Sequence, residues 1–229
     1  MYSWAMMEER NPWEERIMKI EIFADLVCPF CYVGNGIVRK WAESLEEEVT
    51  ILHRSFELDP NSSKRESKNT VEGLAKKYGI TEEEAKDRMG SVASMAKKEG
   101  LPMEIFKSVS ANTHDLHRLL YLAKEEGKEE ALLTAFYEAH FAKGIALNEQ
   151  KEVLKITGAV GLAEEKVLEV LESEAYEDAL AKDRTLATAL KIQGVPYMVF
   201  NETYAISGAQ PVEVLNELYE TLKNETQKN

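Results

Sequence analysis

Cysteine is nearly absent: the 229 residues hold only Cys28 and Cys31. No second pair is present to complete the four-ligand set that zinc usually takes. Positive charge is also short. Lys and Arg number 28 against 41 Asp and Glu, for a net charge of −13. No basic stripe offsets that excess, which argues against a nucleic-acid partner. Long apolar runs are missing as well. Nowhere do 18 apolar residues follow one another, so no transmembrane helix and no membrane partner are expected. The first ten residues lack the basic-then-apolar order of a signal peptide. A cytoplasmic location is therefore the expectation, and there a lone dithiol is more often catalytic than structural. No fixed-period repeat runs through the chain, which speaks against a solenoid.

What is present is an apolar content of 44%, enough for a conventional core in one large domain or one domain with a sizeable insertion. Both cysteines fall within Asp25-Leu26-Val27-Cys28-Pro29-Phe30-Cys31-Tyr32. That stretch follows an alternating apolar run, Lys19 to Ala24, and leads into Ile37 to Ala42, which carries helical spacing. A Cys-x-x-Cys at a strand-to-helix junction suits thiol–disulfide chemistry. Unpaired amides at the helix start favour an anion on the first sulfur, and the second can attack a mixed disulfide intramolecularly. Half of a metal site and a buried structural pair are the competing readings.

Residues 19–25 read as a strand, Pro29 to about Glu47 as a helix, and Thr50 to Leu58 as a second strand. Strand–helix–strand over so few residues implies a right-handed crossover and a parallel pair. Residues 59–63 close the unit with turn chemistry. From there to about Gln193 the pattern is helical, with a capping-box start at Thr81 and Glu84 and a stop at Gly100. Asn148 and Ser173 are expected N-caps, and Gly158 and Gly161 a break. Strand pattern returns at Gly194 to Phe200. Asn201-Glu202 reads as a hairpin turn, Tyr204 to Ser207 as the return strand, and a final helix runs to about Lys223. Residues 1–17 read as a loosely held tail, although Trp4, Trp13 and Ile17 could pack.

The motif Asp-x-x-Cys-Pro-x-Cys-Tyr-x-Gly at 25–34, with Gly-Val-Pro at 194–196, resembles the DsbA-like branch of the thioredoxin superfamily. Within it the chain is most similar to FrnE-like dithiol–disulfide oxidoreductases/isomerases, relatives of 2-hydroxychromene-2-carboxylate isomerase. The resemblance implies an α/β thioredoxin-like fold with an inserted all-helical subdomain. It divides the chain into an N-terminal extension (1–17), a core (18–62 and 186–225), a helical insertion (63–185) and a tail (226–229). It makes Cys28 the nucleophile, Cys31 the resolving thiol and Pro196 a cis-proline facing them. A cis bond there would turn the Val195 backbone toward the dithiol, where an extended peptide could add as a strand. Substrate contacts fall to Pro29, Phe30, Val195 and His117, with Asp25 and Tyr32 in support.

Asp25 either takes a proton from Cys31, caps the turn, or is a plain strand-end aspartate. The segment Asn112 to Leu119 resembles one that packs near the family's cleft. His117 is therefore expected to line that cleft or, the commoner case, to be a satisfied histidine on a helix surface. His53 and His140 are expected to be structural. His114 and His117 lack the pattern of a metal pair. Met89, Met95 and Met103 are expected in the helical core. The absence of histidine between the cysteines implies a weaker stabilisation of the thiolate than in DsbA itself.

The expected function is thiol–disulfide exchange in the cytoplasm through the Cys-Pro-Phe-Cys dithiol. No metal or organic cofactor is required, and glutathione is a possible electron partner. Partners would be a disulfide- or dithiol-bearing protein or a small thiol, acting on a monomer or homodimer. The rivals are a glutathione-dependent small-molecule isomerase, whose branch keeps serine at the first cysteine position, and a redox-sensing or metal-clasp binding protein.

Overall fold

The computed structural model describes residues 18–226. The expected extension 1–17, with Trp4, Trp13 and Ile17, lies outside the described residues, as does nearly all of the expected tail. Strand β1 (Met18–Ala24) is the organising element. It pairs in parallel with β2 (Val49–Ser55), Met18 opposite Val49 through Ala24 opposite Ser55. On its other edge it pairs antiparallel with β3 (Tyr197–Phe200), which continues into β4 (Tyr204–Ser207). The sheet order is β2-β1-β3-β4. The turn between β3 and β4 holds Asn201 and Glu202 at φ 46° and 58°, the left-handed geometry that suits a tight hairpin. The Asn201 side chain accepts the Lys19 amide at 2.9 Å, which ties that turn back to β1.

The crossover helix α1 (Pro29–Glu43) covers one face of the sheet together with α9 (Val212–Thr226). Trp41 joins the layers: its ring meets Phe200 and Tyr219 edge-on, and its Nε1 donates to Asn216 at 2.9 Å. The other face is closed by α8 (Glu177–Ala189), whose Ala187 packs with Phe23 and Val199. Asp183 on α8 accepts from the Ser55 amide at 2.8 Å, from Arg54 at 3.2 Å and from the Tyr121 hydroxyl. α8 runs through residue 185, where the expected insertion gives way to the expected core.

Between β2 and α8 lie α2 (Thr70–Tyr78), α3 (Glu82–Lys98), a 3-10 turn (Ile105–Lys107), α4 (His114–Glu125) and α5 (Glu129–Tyr137). A π-helical turn (Glu138–Ala142), α6 (Gln150–Ala159) and α7 (Glu164–Glu172) follow. α3 begins on the expected capping box: Thr81 Oγ1 accepts the Glu84 amide, and Glu84 accepts the Thr81 amide at 2.8 Å. Met89 is buried in the helical core as expected, while Met95 and Met103 are half-buried against it. The buried Arg118 caps α7, donating to the carbonyls of Val170 at 2.7 Å and Ser173.

Four local expectations need correction. α1 ends at Glu43 rather than near Glu47, because Ser44 turns its amide and hydroxyl back onto the Trp41 carbonyl. β2 ends at Ser55 rather than Leu58, because its partner β1 ends opposite it at Ala24; past that point the Leu58 amide donates to the Asp25 carboxylate. Asn148 caps no helix. Its amide group instead accepts the Asn112 amide at 2.9 Å and donates to Ser63 and Glu66. Ser173 sits at the end of α7, and α8 starts after Tyr176, held at φ 67°.

The Asp183 ties sit in a buried site, where removing one partner strands the others. Asp183→Ala is expected to lower stability by about 3 kcal/mol, whereas Lys64→Ala, which breaks an exposed pair with Asp115, should cost under about 1 kcal/mol. Urea unfolding of both variants checks the ranking; equal losses would contradict it.

Candidate active site

β1 stops at Ala24, and α1 starts five residues later. Cys28 is its N-cap, in extended backbone geometry, with Pro29 at the first helical position where a missing N–H costs nothing. The Cys31 amide donates to Cys28 Sγ at 3.3 Å. Cys28 Sγ also lies 3.6 Å from the Val195 carbonyl, to which its thiol donates. The Val195–Pro196 bond is cis. Gly34 lets the proline approach the helix: a Cβ there would stand 3.1 Å from the Pro196 ring and 3.2 Å from Met198.

The two sulfurs live in unlike surroundings. Both are free thiols. Cys28 keeps 4% of its surface and Cys31 none. Burial pushes the Cys31 thiol well above its usual pKa, and its hydrogen bond to Cys28 adds to the rise. Phe30 projects beside them, 44% exposed. Tyr32 turns inward, stacking on Phe141 with ring centroids 5.4 Å apart and reaching the Pro102 carbonyl at 3.4 Å.

Behind the dithiol is a buried polar cluster. Asp25, 1% exposed, accepts the Leu58 amide on Oδ2 at 2.7 Å. Its Oδ1 faces His117 Nε2 at 3.5 Å. His117 is fully buried, so the helix-surface expectation fails: α4 turns this residue toward β2 and the end of β1, and its ring stacks on His53 with centroids 6.0 Å apart. Tyr137 places its hydroxyl 3.5 Å from the Asp25 carbonyl, and Asp25's charge reaches His140. Asp25 Oδ1, both nitrogens of His117, His53 Nε2 and His140 Nδ1 make no hydrogen bond among the described residues. Burial drives His53 well below the ordinary histidine pKa, helped by the neighbouring His117, and lowers His140 to about 4.

Asp25, Cys28, Pro29, Phe30, Cys31 and Tyr32 lie on the junction, Val195 and Pro196 across from it, and His117 beneath. Sequence reasoning missed that His53, Tyr137, His140 and the Leu58 amide belong there. Only His53 carried a signal, a histidine in a strand otherwise rich in β-branched residues. His114, three residues from His117, points elsewhere, to Glu57 at 3.0 Å and Glu177 at 2.7 Å. No cluster among the described residues could hold a metal ion.

The family model of the DSBA-like thioredoxin domain matches residues 19–220. A solved structure of a probable DsbA oxidoreductase from Streptomyces coelicolor is 37% identical and covers 91% of each chain, with a TM-score of 0.87. A 2-hydroxychromene-2-carboxylate isomerase shares the fold at 17% identity and a TM-score of 0.71, covering 92% of this chain and 98% of its own. So does the cytosolic disulfide reductase DsbM from Pseudomonas aeruginosa with GSH, at 16% identity and a TM-score of 0.60, covering 90% of this chain and 99% of its own.

Because the folded protein keeps His53 and His140 neutral, the unfolded chain binds more protons below about pH 6.5, and acid must destabilise the fold. Stability is expected to hold above that value and to fall by up to about 1.4 kcal/mol per pH unit for each histidine as pH drops toward the folded values. Urea midpoints between pH 7 and pH 5 measure the slope. His140→Phe should flatten it by one proton's worth; an unchanged slope would show that His140 does not contribute.

Proposed function

The chain belongs to the DsbA-like thioredoxin domain family, a family of oxidoreductases and isomerases, and from that premise we propose that it exchanges disulfides in the cytoplasm through Cys28 and Cys31. The observation that carries this reading is the unequal placement of the two sulfurs. Cys28 keeps 4% of its surface and receives a backbone N–H, so negative charge on it finds a donor. Cys31 is sealed and stays a thiol until a neighbour takes its proton.

In the reducing direction, the Cys28 thiolate attacks a substrate disulfide. A Cys28–substrate disulfide forms, and the other substrate sulfur leaves with the bonding electrons and picks up a proton. Cys31 then loses its proton to Asp25 and attacks Cys28 Sγ. The Cys28–Cys31 disulfide forms and the second substrate sulfur departs as a thiolate. The enzyme has lost two electrons and the substrate has gained them; the reverse sequence oxidises a dithiol. The Val195 carbonyl beside Cys28 offers an acceptor to an extended peptide, and Phe30 offers an exposed apolar contact. The core at 18–62 and 186–225 carries the sulfurs in this reading, and the insertion at 63–185 covers them from behind. No metal takes part. Glutathione is a candidate electron partner, a role supported by the DsbM structure determined with GSH. Clients of neutral or basic charge suit a protein of net charge −13.

Cys28→Ser is expected to abolish reduction of insulin disulfides. Cys31→Ser should keep the first attack and accumulate a stable mixed disulfide with glutathione, visible as one added glutathione by intact mass. Reduction of insulin by the Cys28→Ser protein at the parent rate would sink the proposal.

A further inference from the structure

The buried cluster holds more groups than the exchange reaction needs. Asp25 can accept the proton of Cys31, but a carboxylic acid left protonated there cannot serve the next turnover. Asp25 Oδ2 is engaged by the Leu58 amide. Oδ1 instead looks at His117 Nε2 across 3.5 Å, a step longer than a hydrogen bond and short enough to close by a small shift of either side chain. Neither His117 nitrogen has another partner among the described residues. A fully buried imidazole with both nitrogens unengaged is costly unless it is used.

Resting on the proposed exchange at Cys28 and Cys31, we propose that His117 is the second station of a buried proton relay, taking from Asp25 the proton that Cys31 releases when the mixed disulfide is resolved. The balance is as follows in the reducing direction. The Cys31 S–H bond breaks and its proton goes to Asp25 Oδ1. The Cys31 sulfur uses the freed electron pair to bond to Cys28 Sγ, and the substrate sulfur leaves with the pair of the broken Cys28–S bond. Asp25 then passes the proton to His117 Nε2, regenerating the carboxylate. Before the step the pocket holds a thiol, a carboxylate and a neutral imidazole. Afterwards it holds a disulfide beside a carboxylate–imidazolium pair, so the buried charge is compensated when the enzyme is oxidised. On reduction the proton runs back to Cys31.

The surroundings leave His117 as the histidine placed to take that proton. His53 stacks on it from β2 and is held neutral by burial. Arg39 on α1 and Lys124 on α4 add positive potential at His53. Cys31, Tyr137 and His140 are the other titratable groups facing the carboxylate. Of the histidines, only His117 stands within 4 Å of the Asp25 oxygens. His117 touches no reacting sulfur in this scheme; it is a positioning and proton-holding residue acting through Asp25.

The test separates the two chemical steps. Reduced protein is mixed with glutathione disulfide, quenched in acid at intervals and weighed, which resolves formation of the Cys28–glutathione disulfide from its loss to the Cys28–Cys31 disulfide. With His117→Gln the first step should stay within about twofold, while the second slows about ten- to a hundredfold near pH 7 and loses its imidazole inflection in the pH profile. Equal slowing of both steps, or an unchanged second step with its inflection intact, overturns the relay. So does a slowed second step in His140→Gln with His117→Gln unaffected. Should His117→Gln fail to fold, the unmutated protein gives the answer through its imidazole nitrogen NMR shifts. His117 is expected to carry one more proton in the oxidised protein than in the reduced one at the same pH; identical protonation in both overturns the proposal. If the unmutated protein forms no adduct with glutathione disulfide at all, the exchange reading itself fails, an outcome distinct from a normal first step with an unaltered second.

Discussion

The site turns on one hydrogen bond, from the Leu58 amide to Asp25 Oδ2 at 2.7 Å. It ties the chain leaving β2 to the residue that follows β1. It also fixes the carboxylate at the end of β1 with its second oxygen facing inward, toward His117. A buried carboxylate with no such donor would have to find one or lose its charge. Here the chain leaving β2 supplies the donor from the backbone, where no substitution short of proline removes it.

From that fixed point the asymmetry of the sulfurs follows. Cys28 lies three positions after Asp25, and Cys31 three further on, one turn into α1. The first sulfur caps the helix and meets the Val195 carbonyl; the second is carried round to the protein interior. One helical turn therefore places a thiol with a small exposed remnant beside one that is fully sealed. Gly34, a turn further on, keeps α1 close enough to Pro196 for both walls of the site to meet.

The helical insertion is chemically part of this arrangement. α4 contributes His117, α5 contributes Tyr137, and the π-helical turn contributes His140, all aimed at the back of the dithiol. The rest of the insertion holds those residues in register. Arg118, next to His117, is spent on the carbonyls at the end of α7, and Asn112 with Asn148 ties α4's approach to the segment leaving β2.

Much of this was legible in the residues. The alternation of Lys19 to Ala24 and the Cys-Pro-Phe-Cys spacing located the strand, the helix and their junction, because both patterns are local: period two for a half-buried strand, a proline at the first helical position. Asn201-Glu202 announced its hairpin for the same reason. Other features were less legible: the end of β2 and the role of Asn148 depend on residues far along the chain, whereas the end of α1 is the local turn of Ser44 back onto Trp41. The functional cluster was least legible of all. His53, His117 and His140 lie 64 and 23 residues apart, and nothing within a single turn or strand marks an imidazole as facing another one. By itself the sequence determined the fold class, the dithiol and its place at a helix start. Which oxygen of Asp25 is held, which histidine it faces and how deeply Cys31 is sealed were decided by tertiary packing, because burial and long-range contact are properties of the assembled layers and of no single segment.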